Sequence, residues 1–321
     1  RDELSVLASC GKPLLPVLNF VSSPQHREPE WREALARLGL HALVRFDSVA
    51  PPEDGERRLY ESLALLLEHS REALQRLITD QQAQREARKH SALRLIAELL
   101  IDCAACRRSV VSEKAAEQQA INELRQAIRQ REQRCVEALL KLYGFRASDA
   151  AASDLPLLDG RWGDDLFNPE TLKQLGVRVG SGIAAGAAAG AGVDLMVGGL
   201  TLGAAALAGA IAGGALQTAR SYGSRLLGKF KGQRELTVDD SVLRLLALRQ
   251  RQLLHALNAR GHAAVDSIKV ATPQDKTWRE GKLPQELNKA RAHPQWSSLN
   301  PHPKLSQSER QEQIGLLAQQ I

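Results

Sequence analysis

The sequence predicts a mainly helical protein with a short α/β segment at its start, a bundle of long helices, and a helical hairpin rich in glycine and alanine. Strand-like and helix-like patterns alternate over residues 1–69, and helix-like patterning then dominates residues 70–145. The stretch Gly176–Gly223 holds 13 of the 24 glycines. A length of 321 residues with 43% hydrophobic residues permits two or three domains with sizeable cores.

Residues 1–69 have the element order of an open parallel α/β domain. Amphipathic helices alternate with short apolar runs of the buried-strand kind. The predicted elements are a helix at Asp2–Ser9, a strand at Pro13–Phe20, a helix at Glu28–Leu38, a strand at His41–Phe46 and a helix at Glu56–His69. Gly11 and Gly39 follow the first two helices as natural stops.

The first predicted strand ends in Leu18-Asn19-Phe20-Val21-Ser22, and Asp47-Ser48-Val49-Ala50 follows the second. These residues resemble the base-contacting positions of an Era-like small GTPase domain. At the end of the first strand, such domains carry an Asn-Lys-x-Asp motif that reads guanine. Phe20 replaces the lysine and Ser22 the aspartate, which removes the carboxylate that pairs with the guanine edge. The residues after the second strand lie where these domains have a Ser-Ala-containing loop. The resemblance implies Asn19 and Ser48 as nucleotide-binding residues, with GTP and Mg²⁺ as ligands.

The resemblance covers most of the chain. The run LASCGKPLLPVLNF, followed far downstream by GAAAGAGVDLMVGGLTLGAAALAGAIAGGA, is similar to bacterial proteins in which an Era-like GTPase domain precedes a C-terminal domain with this hairpin. It implies that the phosphate-binding loop and the switch regions lie upstream of Arg1. The predicted fold is then mainly α: the C-terminal remnant of an α/β, P-loop GTPase-like domain, followed by the long-helix bundle and hairpin. This fragment alone is not expected to hydrolyse a nucleotide.

Residues 70–145 are predicted to form a long helical stalk of two antiparallel helices. Proline is absent between Pro52 and Pro156. Apolar residues follow heptad spacing at Ile121, Leu124, Ile128, Cys135, Leu139 and Leu142. Residues 146–170 are predicted to be a polar linker, because their aspartates lack the ligand spacing of a calcium loop.

Residues 171–223 are predicted to form a helical hairpin that turns near Asp194 to Gly199. Gly182, Gly186 and Gly190 recur every four residues, which lets two helices approach closely. Uncharged runs of 15 and 25 residues occupy Val179–Val193 and Leu195–Ala219. As a helix the second run would be ~37 Å long, enough to cross a hydrocarbon core of ~30 Å.

The charges beside the hairpin favour association with a membrane. A cluster of cations follows the second run, at Arg220, Arg225, Lys229, Lys231 and Arg234. Such clusters face the cytoplasm and anionic lipid, so both ends are predicted to be cytoplasmic, with the tip at or beyond the opposite face. Two alternatives stay open: a buried hairpin within a soluble helical domain, and self-association through the glycine strips.

The last two segments are a bundle helix over 224–270 and a polar tail over 271–321. Thr237-Val238-Asp239-Asp240 is predicted to open the helix, and Gly261 to end it. The tail is broken by prolines and holds Trp278 and Trp296. These tryptophans either pin the tail to the bundle or touch a membrane surface.

Composition narrows the function classes. A net charge of only +6 and an aromatic content of 4% argue against nucleic-acid binding. Four cysteines without a paired framework suit a reducing cytoplasm. Cys103-Ala-Ala-Cys106 lacks the two further ligands of a structural zinc, so no metal residue is predicted, and no catalytic residue is predicted either.

These observations lead to one functional hypothesis and one rival. The first is a cytoplasmic guanine-nucleotide-binding protein, associated with the inner membrane, whose helical part acts as the effector of the nucleotide state. The rival is a non-enzymatic, soluble helical scaffold or interaction protein in which the Gly/Ala hairpin is core packing.

Overall fold

The computed structural model describes residues 2–21, 26–48, 54–111, 113–145, 157–158, 161–168, 171, 193–196, 233–259, 278–279 and 281–321. Most of these residues are helical, as predicted. They form two compact units. The first contains the described residues up to Lys89 together with residues 255–259, and the second contains the others.

The first unit begins with the predicted alternation of helices and strands. Its elements are α1 (Asp2–Ser9), β1 (Val17–Leu18), α2 (Glu28–Ala36), β2 (Val44–Arg45), α3 (Gly55–Leu66) and a 3₁₀ turn at Glu68–Ser70. Strands β1 and β2 pair in parallel, with Val17 opposite Val44. The order β1–α2–β2 is therefore a βαβ unit, as the sequence predicted.

Both strands are shorter than predicted. Pro13 and Pro16 cannot donate to a ladder from their nitrogens, and Phe20 leaves the extended region with a φ of +56°. Only Val17 and Leu18 remain to pair with β2. Gly11 and Gly39 have φ values of +65° and +75°, a conformation that glycine adopts without steric cost.

Two long helices, α4 (Arg71–Ala105) and α5 (Lys114–Leu142), correspond to the predicted stalk. Cys135 Sγ lies 3.7 Å from the Leu95 carbonyl oxygen, and Arg131 Nε lies 2.6 Å from Asp102 Oδ2. Residues later in α4 therefore contact residues earlier in α5. The two helices are antiparallel, which confirms the predicted arrangement.

The prediction of almost continuous helix over 70–145 is wrong between these two helices. Arg107–Val111 forms β3, the edge of a three-stranded antiparallel sheet with the order β3–β7–β6. Strand β7 is Gln233–Val238 and β6 is Val193–Met196. The backbone groups of β3 form hydrogen bonds with β7, a strand more than a hundred residues away in the sequence. The residues next to β3 therefore contain no turn motif that would predict a strand.

The hairpin turn predicted near Asp194 to Gly199 is wrong where it can be compared with the structure. Val193–Met196 is extended and pairs with β7, with Val193 opposite Val238 and Met196 opposite Glu235. The rest of the predicted hairpin, apart from Thr171, lies outside the described residues. Within the ranges that are described, no helix has the length and apolarity needed to cross a membrane.

Part of the predicted linker is ordered against the bundle. Leu157–Leu158 and Arg161–Trp162 form a small antiparallel pair, β4 and β5. Leu166 and Phe167 are buried. Arg129 of α5 binds both carboxylate oxygens of Asp165, at 2.8 and 2.9 Å.

The C-terminal part of the chain adds three helices: α6 (Asp240–Ala259), which belongs to the second unit up to Leu254, α7 (Gln285–Ala292) and α8 (Ser308–Gln320). Asp239 caps α6 by accepting from the Ser241 amide at 2.8 Å, so the helix begins after Thr237 and Val238, which belong to β7. Trp296 is fully buried and donates from Nε1 to Gln307 Oε1 at 2.9 Å. Burial of Trp296 favours the first alternative for that tryptophan, and the adjacent Ser297 Oγ donates to the Asp102 carbonyl of α4 at 2.7 Å, which joins the tail to the bundle.

Candidate functional site

Asn19 and Ser48, the two residues that the sequence singled out, are in direct contact. Asn19 follows β1 immediately, and Ser48 lies three residues after β2. Since β1 and β2 are parallel, both residues lie at the carboxyl edge of the pair, where open α/β sheets bind ligands. Asn19 Oδ1 accepts from the Ser48 amide at 2.9 Å and from Ser48 Oγ at 3.0 Å.

These contacts determine which way the Asn19 amide faces. Its Oδ1 also accepts from the Phe20 amide at 2.8 Å, so backbone donors of both Phe20 and Ser48 converge on one atom. Only an oxygen can accept from backbone N–H groups, so the assignment of Oδ1 and Nδ2 follows from the partners. Among the described residues, Nδ2 makes no hydrogen bond. The side chain therefore offers two N–H donors to a ligand.

A cleft of about 290 Å³ opens beside this corner. Its walls are Leu18, Asn19, Phe20, Val21, His26, Arg27, Glu28 and Trp31. Two of these residues are large exposed aromatics, Phe20 at 57% and Trp31 at 48% exposure. The cleft therefore combines free amide donors with aromatic surface.

A comparison with protein families assigns the chain to one family. The family model described as Domain of unknown function (DUF3482) matches residues 32–319. The chain belongs to this family. The match includes Ser48 and begins after Asn19, so the DUF3482 region covers only part of the corner. No curated protein and no solved structure matches the chain.

A buried carboxylate, Asp102 of α4, organises the second unit of this DUF3482 chain. Its Oδ2 accepts from Arg131 Nε at 2.6 Å and from Ser298 Oγ at 2.9 Å. Its Oδ1 accepts from Arg310 Nη2 at 3.1 Å and from the Ser298 amide at 3.0 Å. The side chain is only 2% exposed, and a carboxylate so far from water needs such partners.

Arg310 of α8 completes this network. It is 1% exposed, donates from Nε to the Trp296 carbonyl at 2.8 Å, and lies 3.3 Å from Glu98 Oε1. The tail is thereby fastened to α4 by charge-assisted hydrogen bonds. This cluster was not predicted from the sequence. The available signal was Asp102 itself, an acid within the otherwise uncharged run Leu99–Cys106.

A second buried acid, Glu132 of α5, is less well satisfied. Arg249 Nη1 lies 3.5 Å from Glu132 Oε1, and that oxygen is buried without a hydrogen bond. Arg249 also donates to the Asp164 carbonyl at 2.7 Å, and its guanidinium lies over the Trp162 ring. Burial raises the pKa of the Glu132 carboxyl to about 7, and the positive charge of Arg249 opposes that rise only in part.

Stability is expected to depend on pH through Glu132. Folded protein retains this proton up to about pH 7, whereas an ordinary glutamate releases it near pH 4.5. Between those values the folded state binds more protons, so its stability falls as the pH rises, by roughly 3 kcal/mol in total. Urea unfolding at several pH values measures this slope. Glu132→Gln should remove that part of the slope, and Glu137→Gln, an exposed site on the same helix, should keep it. An unchanged slope in Glu132→Gln would contradict the assignment.

The cysteines of the second unit have no reactive character. Cys103, Cys106 and Cys135 are buried and unpaired. Burial raises the pKa of the Cys103 thiol well above its usual value, that of Cys106 to about 11 and that of Cys135 to about 12. Within the described part of the chain, no group of His, Cys, Asp or Glu side chains is arranged to hold a metal ion. We therefore assign none of these residues to Mg²⁺.

Proposed function

We propose that the corner formed by Asn19 and Ser48 contacts the base of a guanine nucleotide. The observation that carries this proposal is the hydrogen bonding of Asn19 Oδ1 to Ser48 at the carboxyl edge of two parallel strands. It joins the two residues that the resemblance to Era-like GTPases singled out. Without this contact they would be two unrelated polar residues on loops.

The chemistry of the corner favours guanine over adenine. Asn19 Oδ1 is occupied, so the side chain offers only N–H donors to the ligand. A purine edge that receives them must present acceptors. Guanine presents two, N7 and O6, whereas adenine places an amino donor beside its N7. The resemblance further implies a nucleoside triphosphate and Mg²⁺ as the complete ligand.

The helical second unit is proposed as the effector of the nucleotide state. The resemblance puts a helical domain after the GTPase domain, and in this chain the mainly helical second unit follows the βαβ unit. The rival function, a non-enzymatic scaffold, is supported by a specific observation. The buried carboxylate of Asp102 pairs with Arg131 and with Arg310. These buried charges therefore hold the C-terminal tail in place within the chain and are not available to a ligand.

Replacing Asn19 by aspartate tests the nucleotide proposal. Asn19→Asp keeps an oxygen that can accept from Ser48 and Phe20, but it removes the two N–H donors. The full-length gene product is expected to bind GDP at least about tenfold more weakly with this substitution, because a ligand acceptor loses its partner. Calorimetric titration with GDP, GTP and ATP measures the effect.

Asn122→Asp is the matched control, since Asn122 is an exposed residue of α5. It is expected to leave nucleotide affinity unchanged, and wild-type protein is expected to prefer guanine nucleotides to ATP. Equal affinity of wild type and Asn19→Asp for GDP would refute the assigned role. Absence of any guanine-nucleotide binding by wild type would favour the scaffold.

A further inference from the structure

Phe20 has two features that folding alone does not account for. Its φ of +56° is a left-handed conformation that side chains with a Cβ rarely adopt. Its ring is 57% exposed, so burial recovers little of the steric cost. Unfavourable backbone conformations of this kind cluster at ligand sites.

Three glycines show how a positive φ is adopted without steric cost. Gly11, Gly39 and Gly144 have φ values of +65°, +75° and +76°, and each position uses the residue that tolerates them best. Position 20 has a similar φ and carries a large aromatic side chain, and among the described residues His302, with a φ of +53°, is the other non-glycine residue with a positive φ. The conformation itself is supported by the Phe20 amide, which donates to Asn19 Oδ1 at 2.8 Å.

The surroundings of Phe20 indicate what the ring could contact. Phe20, Trp31 and Asn19 line the same cleft of about 290 Å³. Glu28, the carboxylate in this cleft, is already paired with Arg32 at 2.8 Å and Arg45 at 3.2 Å. The cleft thus presents an aromatic face and amide donors beside a neutralised acid, a combination that suits a planar, polar-edged heterocycle.

We propose that Phe20 is a stacking platform for the base of the nucleotide bound at Asn19. The inference rests on the proposed function and adds a second contact to it, between the ring and the face of the base. Base–aromatic stacking contributes strongly to affinity because every base has a π-face. Era-like GTPases carry a lysine at the position that corresponds to Phe20, so an aromatic platform is particular to this sequence.

Three substitutions at position 20 separate stacking from other roles. Phe20→Gly removes the ring and relieves the backbone, so GDP affinity is expected to fall about tenfold or more while the melting temperature stays equal or rises. Phe20→Leu keeps apolar bulk without a π-face and is expected to bind nearly as weakly. Phe20→Tyr keeps the face and is expected to bind within about threefold of wild type. Leu65→Gly changes an exposed apolar side chain away from the cleft and controls for affinity only.

Calorimetric titration of the full-length protein with GDP measures these affinities, and thermal unfolding by circular dichroism checks each fold. A base proton shifted upfield in the NMR spectrum of the wild-type complex, but not with Phe20→Leu, would show the stacked ring directly. Wild-type affinity in Phe20→Gly, or Phe20→Leu binding as well as Phe20→Tyr, overturns the stacking role. If Asn19→Asp weakens binding and Phe20→Gly does not, only the stacking inference fails. If wild type binds no nucleotide, both proposals fail.

Discussion

Asp102→Ala is expected to destabilise the second unit by roughly 3–5 kcal/mol, which is the range for breaking a buried ion pair by removing one partner. Arg131 and Arg310 would lose their shared carboxylate while their guanidinium groups stayed buried, with side chains 13% and 1% exposed. Both donors of Ser298 would lose the same acceptor. Denaturant unfolding followed by circular dichroism measures the loss.

Asp80→Ala is the matched control, because Asp80 is an exposed acid on the same helix. Its effect should stay within about 0.5 kcal/mol. The double variant Asp102→Ala with Arg310→Ala should lose less than the sum of the single losses, since the two side chains are in contact. A loss of under about 1 kcal/mol for Asp102→Ala would mean that water reaches the two arginines, and the network would then not fasten the tail.

Helices were the part of this fold that the sequence could predict. Helix α5 carries apolar residues at heptad spacing over many turns, and α4 is a stretch of 35 residues without proline or glycine, so both had a strong local signal. Strands β3 and β6 carried no comparable signal, because their partner β7 is far away in the chain. Five residues such as Arg107–Val111 fit a helix or a strand equally well until that partner is known.

The candidate site was also predicted only in part. Asn19 and Ser48 were predicted from a resemblance between short motifs, and the structure places them in contact. The left-handed conformation of Phe20 could not be predicted, since the usual sign is a glycine or an asparagine. Asp102 was missed because its partners Ser298 and Arg310 lie 196 and 208 residues away in sequence.

The pairing of β6 with β7 bears on the predicted membrane topology. Met196 lies opposite Glu235, so the residues that flank the 36-residue stretch 197–232 belong to paired strands of one sheet. The residues of this stretch lie outside the described part of the chain, so what is expected of them rests on their sequence alone. Two helical crossings of a ~30 Å core need about 40 residues, more than the 36 present. The prediction that both ends of this stretch lie on one side of a membrane is compatible with the register of β6 and β7, whereas two full helical crossings would need more residues than it contains.

Membrane association is expected to depend on the uncharged part of this segment, Val197–Ala219. Wild-type protein should pellet with membranes, resist a high-salt wash and be released by detergent. Leu207→Lys with Ile211→Lys should move it to the supernatant, because each lysine costs about 3 kcal/mol at the centre of an apolar helix. These substitutions leave β6 intact, whereas deletion of Gly176–Ala219 would also remove a strand of the sheet.

Leu65→Lys with Leu77→Lys is the matched control, since it adds the same two charges at exposed leucines of the helical surface. It should pellet like wild type. If wild type itself stays in the supernatant, the glycine-rich segment is core packing and the scaffold gains support. If both lysine pairs release the protein equally, net charge drives the partition instead. Release by the Leu207 and Ile211 pair alone would assign the membrane contact to the segment between β6 and β7, whose two ends are joined to the helical unit through the sheet.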